Sequence, residues 1–300
     1  MKSFNSIAIA LTATCIFAIS SHAQIIVNDT WADGERASTG PDGTGIDSAW
    51  WGSGGSLSVP AAGDLRGTSP AGSAFWTTYF PSAVTLANPG DAISVTWVFV
   101  PTTVSAANTS QGLPLALAYT PGTHLAADAS PSSQLYSGYS LFMNMAQTLG
   151  NANPFALREW TSASAGSLLG TSANWGANGT SGATLANGGT AGNTGFASGT
   201  QYTLSMTLTR NASSGLDILA SMTGGSLNGT GSESVSYTDT TPNSFIFDTF
   251  AIRPSGSASG AAQYDTSLFK VEFISVPEPT ALTLAGLGVL GLVFARRARR

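Results

Sequence analysis

The amino-acid sequence predicts an all-β fold, an antiparallel two-sheet sandwich of jelly-roll type, preceded by a signal peptide and followed by one C-terminal hydrophobic helix. Three observations predict it. Between residues 24 and 276 short apolar runs recur with a two-residue period, Gly, Pro, Asn and Ser punctuate them, and no stretch carries a helical period. Many short strands each need to bury a face, and two packed sheets provide the partner for every face.

In chain order, Lys2 supplies a positive start, Ile7 to Ile19 an apolar run, and Ser21-His22-Ala23 a small-residue cleavage site, so residues 1–23 read as a signal peptide and the mature chain begins at Gln24. Cys15 lies inside the apolar run, which disfavours a lipid-attachment role, and its removal leaves a mature chain without cysteine. Residues 24–275 are the sandwich domain. Ile25-Ile26-Val27 opens it as a short strand, and Asn28 to Trp51 follows as an Asp- and Gly-rich loop.

Strands are expected at Ser73 to Phe80, Asp91 to Val100, Pro114 to Tyr119, Tyr139 to Met145 and Phe155 to Trp160. In Asp91 to Val100, the side chains of Ile93, Val95, Trp97 and Phe99 share one face, and Val98 and Val100 make the other partly apolar, the pattern of a central strand. Ser162 to Thr200 holds few large apolar groups and predicts long surface loops around one or two weak strands. Tyr202, Leu204, Met206 and Leu208 alternate with Thr203, Ser205, Thr207 and Thr209; Leu216, Ile218, Ala220 and Met222 answer after a turn at 210–215. This predicts a β-hairpin over Gln201 to Thr223. Ser232 to Thr238, Phe245 to Arg253 and Ser267 to Ile274 complete the strands, the last with Phe269, Val271 and Phe273 inward and Lys270 and Glu272 outward.

Residues 276–300 differ in kind. Pro277 and Pro279 bias Val276 to Pro279 to an extended spacer. Ala281 to Ala295 carries no formal charge, and arginines occupy 296, 297, 299 and 300. As a helix, 281–295 spans about 22 Å, short for a hydrocarbon core of ~30 Å, so this transmembrane segment needs Thr280 and snorkelling arginines to cross. The basic end favours the cytoplasmic side and leaves the domain outside. Pro277-Glu278-Pro279, the hydrophobic stretch and Arg296, Arg297, Arg299 and Arg300 together resemble the PEP-CTERM sorting signal of exported bacterial proteins. The resemblance implies an exosortase-type membrane enzyme as partner, a transient stay in the inner membrane, cleavage near the Pro-Glu-Pro, and passage to the cell surface or extracellular matrix.

The domain resembles concanavalin A-like lectin and laminin-G-like sandwiches along Tyr202 to Met222, with its Leu-Thr-Arg-Asn turn, and along Phe247 to Arg253. That likeness implies a curved sheet whose concave face binds glycans in many relatives, and a calcium ion at the rim in some.

Charge and inventory bound the chemistry. Setting aside Glu278, Lys2 and the four terminal arginines leaves fifteen acidic against six basic residues in 24–276, a net charge of −9. That balance excludes nucleic acid as a natural partner and suits an extracellular surface. Asp29, Asp33, Asp42 and Asp47, with Glu35, offer oxygen ligands of the kind calcium takes, but their spacing is not that of an EF-hand loop and equally marks turns; no cofactor is required. Trp31, Trp50 and Trp51 are rings that stack on sugars or fill a core, and Trp50 and Trp51 are the glycan-contact candidates for an extracellular polysaccharide. Catalytic means are sparse. His124 is the one histidine of the mature chain, in a turn-like context that reads as a solvated loop, so a Ser-His-Asp triad is conceivable only around it. None of Glu35, Glu159, Glu233 or Glu272 sits in the Glu-x-Asp-x-x-Glu pattern of retaining glycosidases of this fold. The expected function is a non-catalytic, exported surface or matrix protein with glycan-binding capacity; the alternative is a secreted glycan-active hydrolase or lyase.

Overall fold

Alternation along the chain becomes two sheets laid face to face. The computed structural model describes residues 22–37, 46–69, 71–177 and 179–276. The first sheet runs in the order β16 (Ser232–Asp239), β15 (Leu216–Thr223), β14 (Tyr202–Arg210), β6 (Ala92–Asn108), β18 (Ala261–Ser275), β4 (Asp64–Thr68) and β3 (Ser56–Ala61). To it β1 (His22–Asp29) adds on β18, and β9 (Ala146–Leu149) on β6. The second runs β12 (Thr180–Ser181), β11 (Trp175–Ala177), β10 (Phe155–Trp160), β8 (Ser137–Met143), β7 (Leu113–Tyr119), β17 (Ile246–Ile252), β5 (Phe75–Thr85) and β2 (Trp50–Ser53), with β13 (Ala186–Gly188) on β10. β6 and β9 pair in parallel, and the successive neighbours along both sheet orders pair antiparallel. Two 3-10 turns, Ser172–Asn174 and Leu227–Gly229, are the helical elements among the described residues. None of the described residues form a helix long and apolar enough to cross a membrane.

The expected faces are the observed ones. Ile93, Val95, Trp97 and Phe99 on β6 are fully buried, as are Tyr202, Leu204, Met206 and Leu208 on β14. β14 lies between β6 and β15 with Leu204 opposite both Trp97 and Met222, so one period-two pattern is repeated across three strands and closes one wall of the core. From the other wall Leu115, Leu117, Leu141, Phe155, Leu157 and Phe250 meet it. Phe269 and Val271 point inward, and Lys270 and Glu272 pair at 2.8 Å on the outer side.

The second sheet is covered on both faces. Outside it a smaller cluster joins Ala116, Phe142, Ala156 and Trp160 to Leu168, Leu169 and Trp175. Trp175 stands edge-on to Trp160 at 5.3 Å and donates from Nε1 to the Leu168 carbonyl. Those last three residues belong to 162–200, the stretch expected to bury little: it does form loops and short strands, but its few large side chains are spent on this second layer. That cover explains why Leu113 to Ala118 is buried without alternation. β2, β3, β4 and β9 also form where no strand was expected. They are short and rich in Gly, Ser and Ala; at Gly67 the Trp76 ring lies where a side chain would begin.

Candidate ligand cleft

The two tryptophans marked for glycan contact part ways in the structure. Trp50 is 1% exposed, donates from Nε1 to Ser48 Oγ at 2.7 Å, and meets the Phe269 and Phe250 rings edge-on at 5.1 and 6.3 Å, so it is core and cannot stack on a sugar. Trp51 stays half-buried on the edge strand β2. The calcium candidates disperse as well. Asp29 is buried and its carboxylate accepts from the backbone N–H of Trp31 and Ser48 and from the Ser48 hydroxyl, at 2.8, 3.0 and 2.6 Å. Burial raises its pKa against the opposing pull of those bonds, the Ser48 hydroxyl first. Asp33 accepts from the Glu35 N–H in an exposed turn, Asp47 is buried, and Asp42 lies outside the described residues. Among the described residues no three His, Cys, Asp or Glu side chains gather to hold a metal. Pro277, Glu278, Pro279 and the terminal arginines lie outside the described residues, as do residues 1–21 with Cys15 and the 281–295 segment; His22 and Ala23, the last two residues of the expected signal peptide, are the first of β1.

His124 is an exposed loop residue, and its side chain is engaged by its neighbours. Its ring stacks on Tyr79 at 4.1 Å and nearly parallel, and its Nε2 stands 3.4 Å from Oδ2 of the buried Asp248. Asp248 also accepts from the Thr120 N–H and the Thr249 hydroxyl. The dyad clamps the 120–136 loop across the second sheet, and a bidentate pair between Arg36 and Asp128 fastens that loop further along. Among the described residues, the Asp248 carboxylate is the group that His124 pairs with.

A concavity of about 780 Å³ opens at one end of the sandwich. Its walls are strand ends and the loops that leave them: Thr85 and Leu86 after β5, Tyr119 at the end of β7, Tyr136 and Ser137 at the start of β8, Trp160 at the end of β10, Arg210 at the end of β14, and 242–246 entering β17. Rings dominate. Tyr136 stands edge-on to Trp160 at 5.4 Å and donates to the Ser132 carbonyl; the Arg210 guanidinium lies 4.4 Å over Phe245 and donates to the Leu86 and Ala87 carbonyls. Asn243 fixes the floor: its N–H donates to Glu159 Oε1, its Nδ2 to the Trp160 carbonyl, and its Oδ1 accepts from the Gly138 N–H. Leu135, 54% exposed, makes part of the rim.

Behind that floor, burial first and then the charge of Asp239 push Glu159 up to about 7, against the lowering Asn243 bond. Asp239 accepts from the Tyr139 hydroxyl at 2.6 Å and from the Thr241 N–H. Both carboxylates are therefore held by protein donors, while the half-buried Tyr119 and Phe245 rings, hydroxyls and a fixed amide face the cavity. That mixture suits a polar ligand with apolar faces, a description that fits a sugar ring. No sequence pattern marks this cleft, because its residues come from strand ends scattered between 85 and 246.

The comparisons with known proteins fall into two parts. By fold the domain is similar to lectin sandwiches. The metal-free carbohydrate recognition domain of Emp46p matches at TM-score 0.45 and 11% identity, over 74% of this chain and 87% of that one. Peanut lectin bound to a nine-residue peptide matches at 0.49 and 9%, over 86% and 100%. The VIP36 exoplasmic/lumenal domain in its Ca2+/Man3GlcNAc-bound form matches at 0.44 and 14%, over 77% and 88%. By motif, residues 275–300 match the PEP-CTERM protein-sorting motif, which marks exported proteins. No curated protein matches the chain.

Proposed function

We propose that the chain is an exported cell-surface or extracellular-matrix protein whose sandwich domain, residues 24–275, binds glycans without turning them over. In this reading residues 1–23 are removed on export, and 276–300 hold the protein in the inner membrane through 281–295 until an exosortase-type enzyme acts near Pro277-Glu278-Pro279. The observation that carries it is the sorting motif beginning at Ser275, where β18 ends. The cleft supports the glycan part through its rings and fixed amide, and the engagement of Glu159 and Asp239 by protein donors supports a binding rather than a hydrolytic role. A glycan array and a polysaccharide-degradation screen on the exported protein test it. Tyr119→Ala removes a half-buried ring of the cleft and should weaken binding roughly tenfold, about 1.4 kcal/mol. A loss in Trp51→Ala with Tyr119→Ala unchanged would move the site to the β2 edge.

One observation favours the hydrolase alternative: Glu159, titrating near 7 with Asp239 close by, has the protonation of a general acid at neutral pH. Sugar release abolished by Glu159→Gln would establish that alternative and overturn the non-catalytic reading.

A further inference from the structure

Residues 24–276 hold six basic side chains against fifteen acidic ones. Among the described residues, Arg36 pairs with Asp128, Arg66 with Asp64 and Asp265, and Lys270 with Glu272, while Arg158, Arg210 and Arg253 form no ion pair. Of those three, Arg210 lines the cleft, and it is the one charged side chain of the cleft walls among the described residues.

The packing of Arg210 leaves one edge of its guanidinium without a partner. Nη1 donates to the Leu86 and Ala87 carbonyls, both at 2.8 Å, and the guanidinium carbon sits 4.4 Å over the Phe245 ring. Nε is buried without an acceptor, and Nη2 takes no partner among the described residues and is not buried. Nε and Nη2 direct N–H bonds to the same side, the fork that meets two oxygens of one anionic group. Asp91, whose main-chain carbonyl accepts from the Arg210 N–H, does not fill that fork: its Oδ2 accepts from the Ala87 and Asn88 N–H groups. Glu159 and Asp239, behind the floor, are bonded to Asn243, Tyr139 and Thr241.

We propose that the cleft selects acidic glycans: the carboxylate or sulfate group of an acidic sugar takes the Nε/Nη2 edge of Arg210, and the apolar face of the sugar meets the aromatic walls. This rests on the cleft being a glycan site. The net charge of −9 repels such a ligand at long range. A Debye length of ~8 Å at physiological salt screens that field, so the contact at Arg210 decides which sugar stays.

The test titrates the exported protein with oligosaccharides of glucose, galactose and mannose, each in matched neutral, uronic and sulfated form. An acidic form should bind about tenfold tighter than its neutral match. That gain should shrink as sodium chloride rises from about 0.05 to 0.5 M. Arg210→Gln, shown to be folded by circular dichroism, should remove the difference between acidic and neutral forms; if it does not fold, the salt dependence of the wild type decides. A gain with uronic forms assigns a carboxylate and a gain with sulfated forms alone a sulfate ester, and either supports the inference. Equal wild-type affinity for acidic and neutral forms, a gain indifferent to salt, or a gain that survives Arg210→Gln overturns it and leaves the glycan reading intact. Failure of every sugar to bind overturns the glycan reading and the inference with it.

Discussion

Glu233 shows how one inward-facing polar residue sets a pH response. It is 3% exposed on β16, opposite Met222, and its two carboxylate oxygens have no hydrogen-bond partner among the described residues. Burial alone pushes it up to about 7 from an ordinary 4.5. The folded chain keeps a proton that the unfolded chain has already lost, so stability is greatest below about pH 4.5 and falls as pH rises to about 7, by roughly 3 kcal/mol. Glu159 adds a change of the same sign. Urea midpoints from pH 4 to 8 should slope downward, and Glu233→Gln should flatten that slope; an unchanged slope would mean that burial of Glu233 is not its cause. Asp29 is the opposite case, a buried carboxylate fully used. It holds Trp31, whose φ of 53° lies in the left-handed region that large residues avoid, and ties it to Ser48. Asp29→Ala should cost about 2–4 kcal/mol by leaving these donors unmatched.

Among the elements, the β14–β15 hairpin was fully legible, because its period of two runs unbroken on both strands and the turn needs only local chemistry. Leu204→Asp places a charge between Trp97 and Met222 and should cost about 3–5 kcal/mol, some 10 °C in melting temperature, whereas the half-buried outer residue Thr203→Asp should shift it little. Equal melting temperatures would refute the register. β6 was legible only in part. It was expected to stop at Val100 because Pro101 follows, yet it runs on to Asn108. Phe99 is its last residue paired with β14, so Pro101 stands where the strand is flanked by β18 alone, an edge-like setting that tolerates a missing N–H. Trp50 was misjudged for a related reason. Two adjacent tryptophans beside an acidic loop carry no periodicity to say which one faces inward, and here partners far along the chain, Phe250 and Phe269, decide for Trp50.

For the whole molecule, the C-terminal sorting motif was readable and the cleft was not, since a sorting motif is contiguous and a cleft is assembled by tertiary structure. Replacing Glu278 or the four terminal arginines should block release from the inner membrane while circular dichroism of the domain stays unchanged; normal arrival at the surface would remove the sorting role. Mass spectrometry of the surface form should find Gln24 at its N-terminus, and an intact Met1 would contradict export by cleavage. The position of β18 has a temporal consequence. This last strand of the domain is an interior member of the first sheet, and it pairs with β6, β4 and β1, from the first half of the chain. Its slot cannot be filled until residue 275 has been made and carried across the membrane, so the chain emerges with the middle of a sheet vacant, and the late, long-range closure of that gap makes for slow folding. An emerging chain interrupted before β18 therefore has no way to close its sheet early.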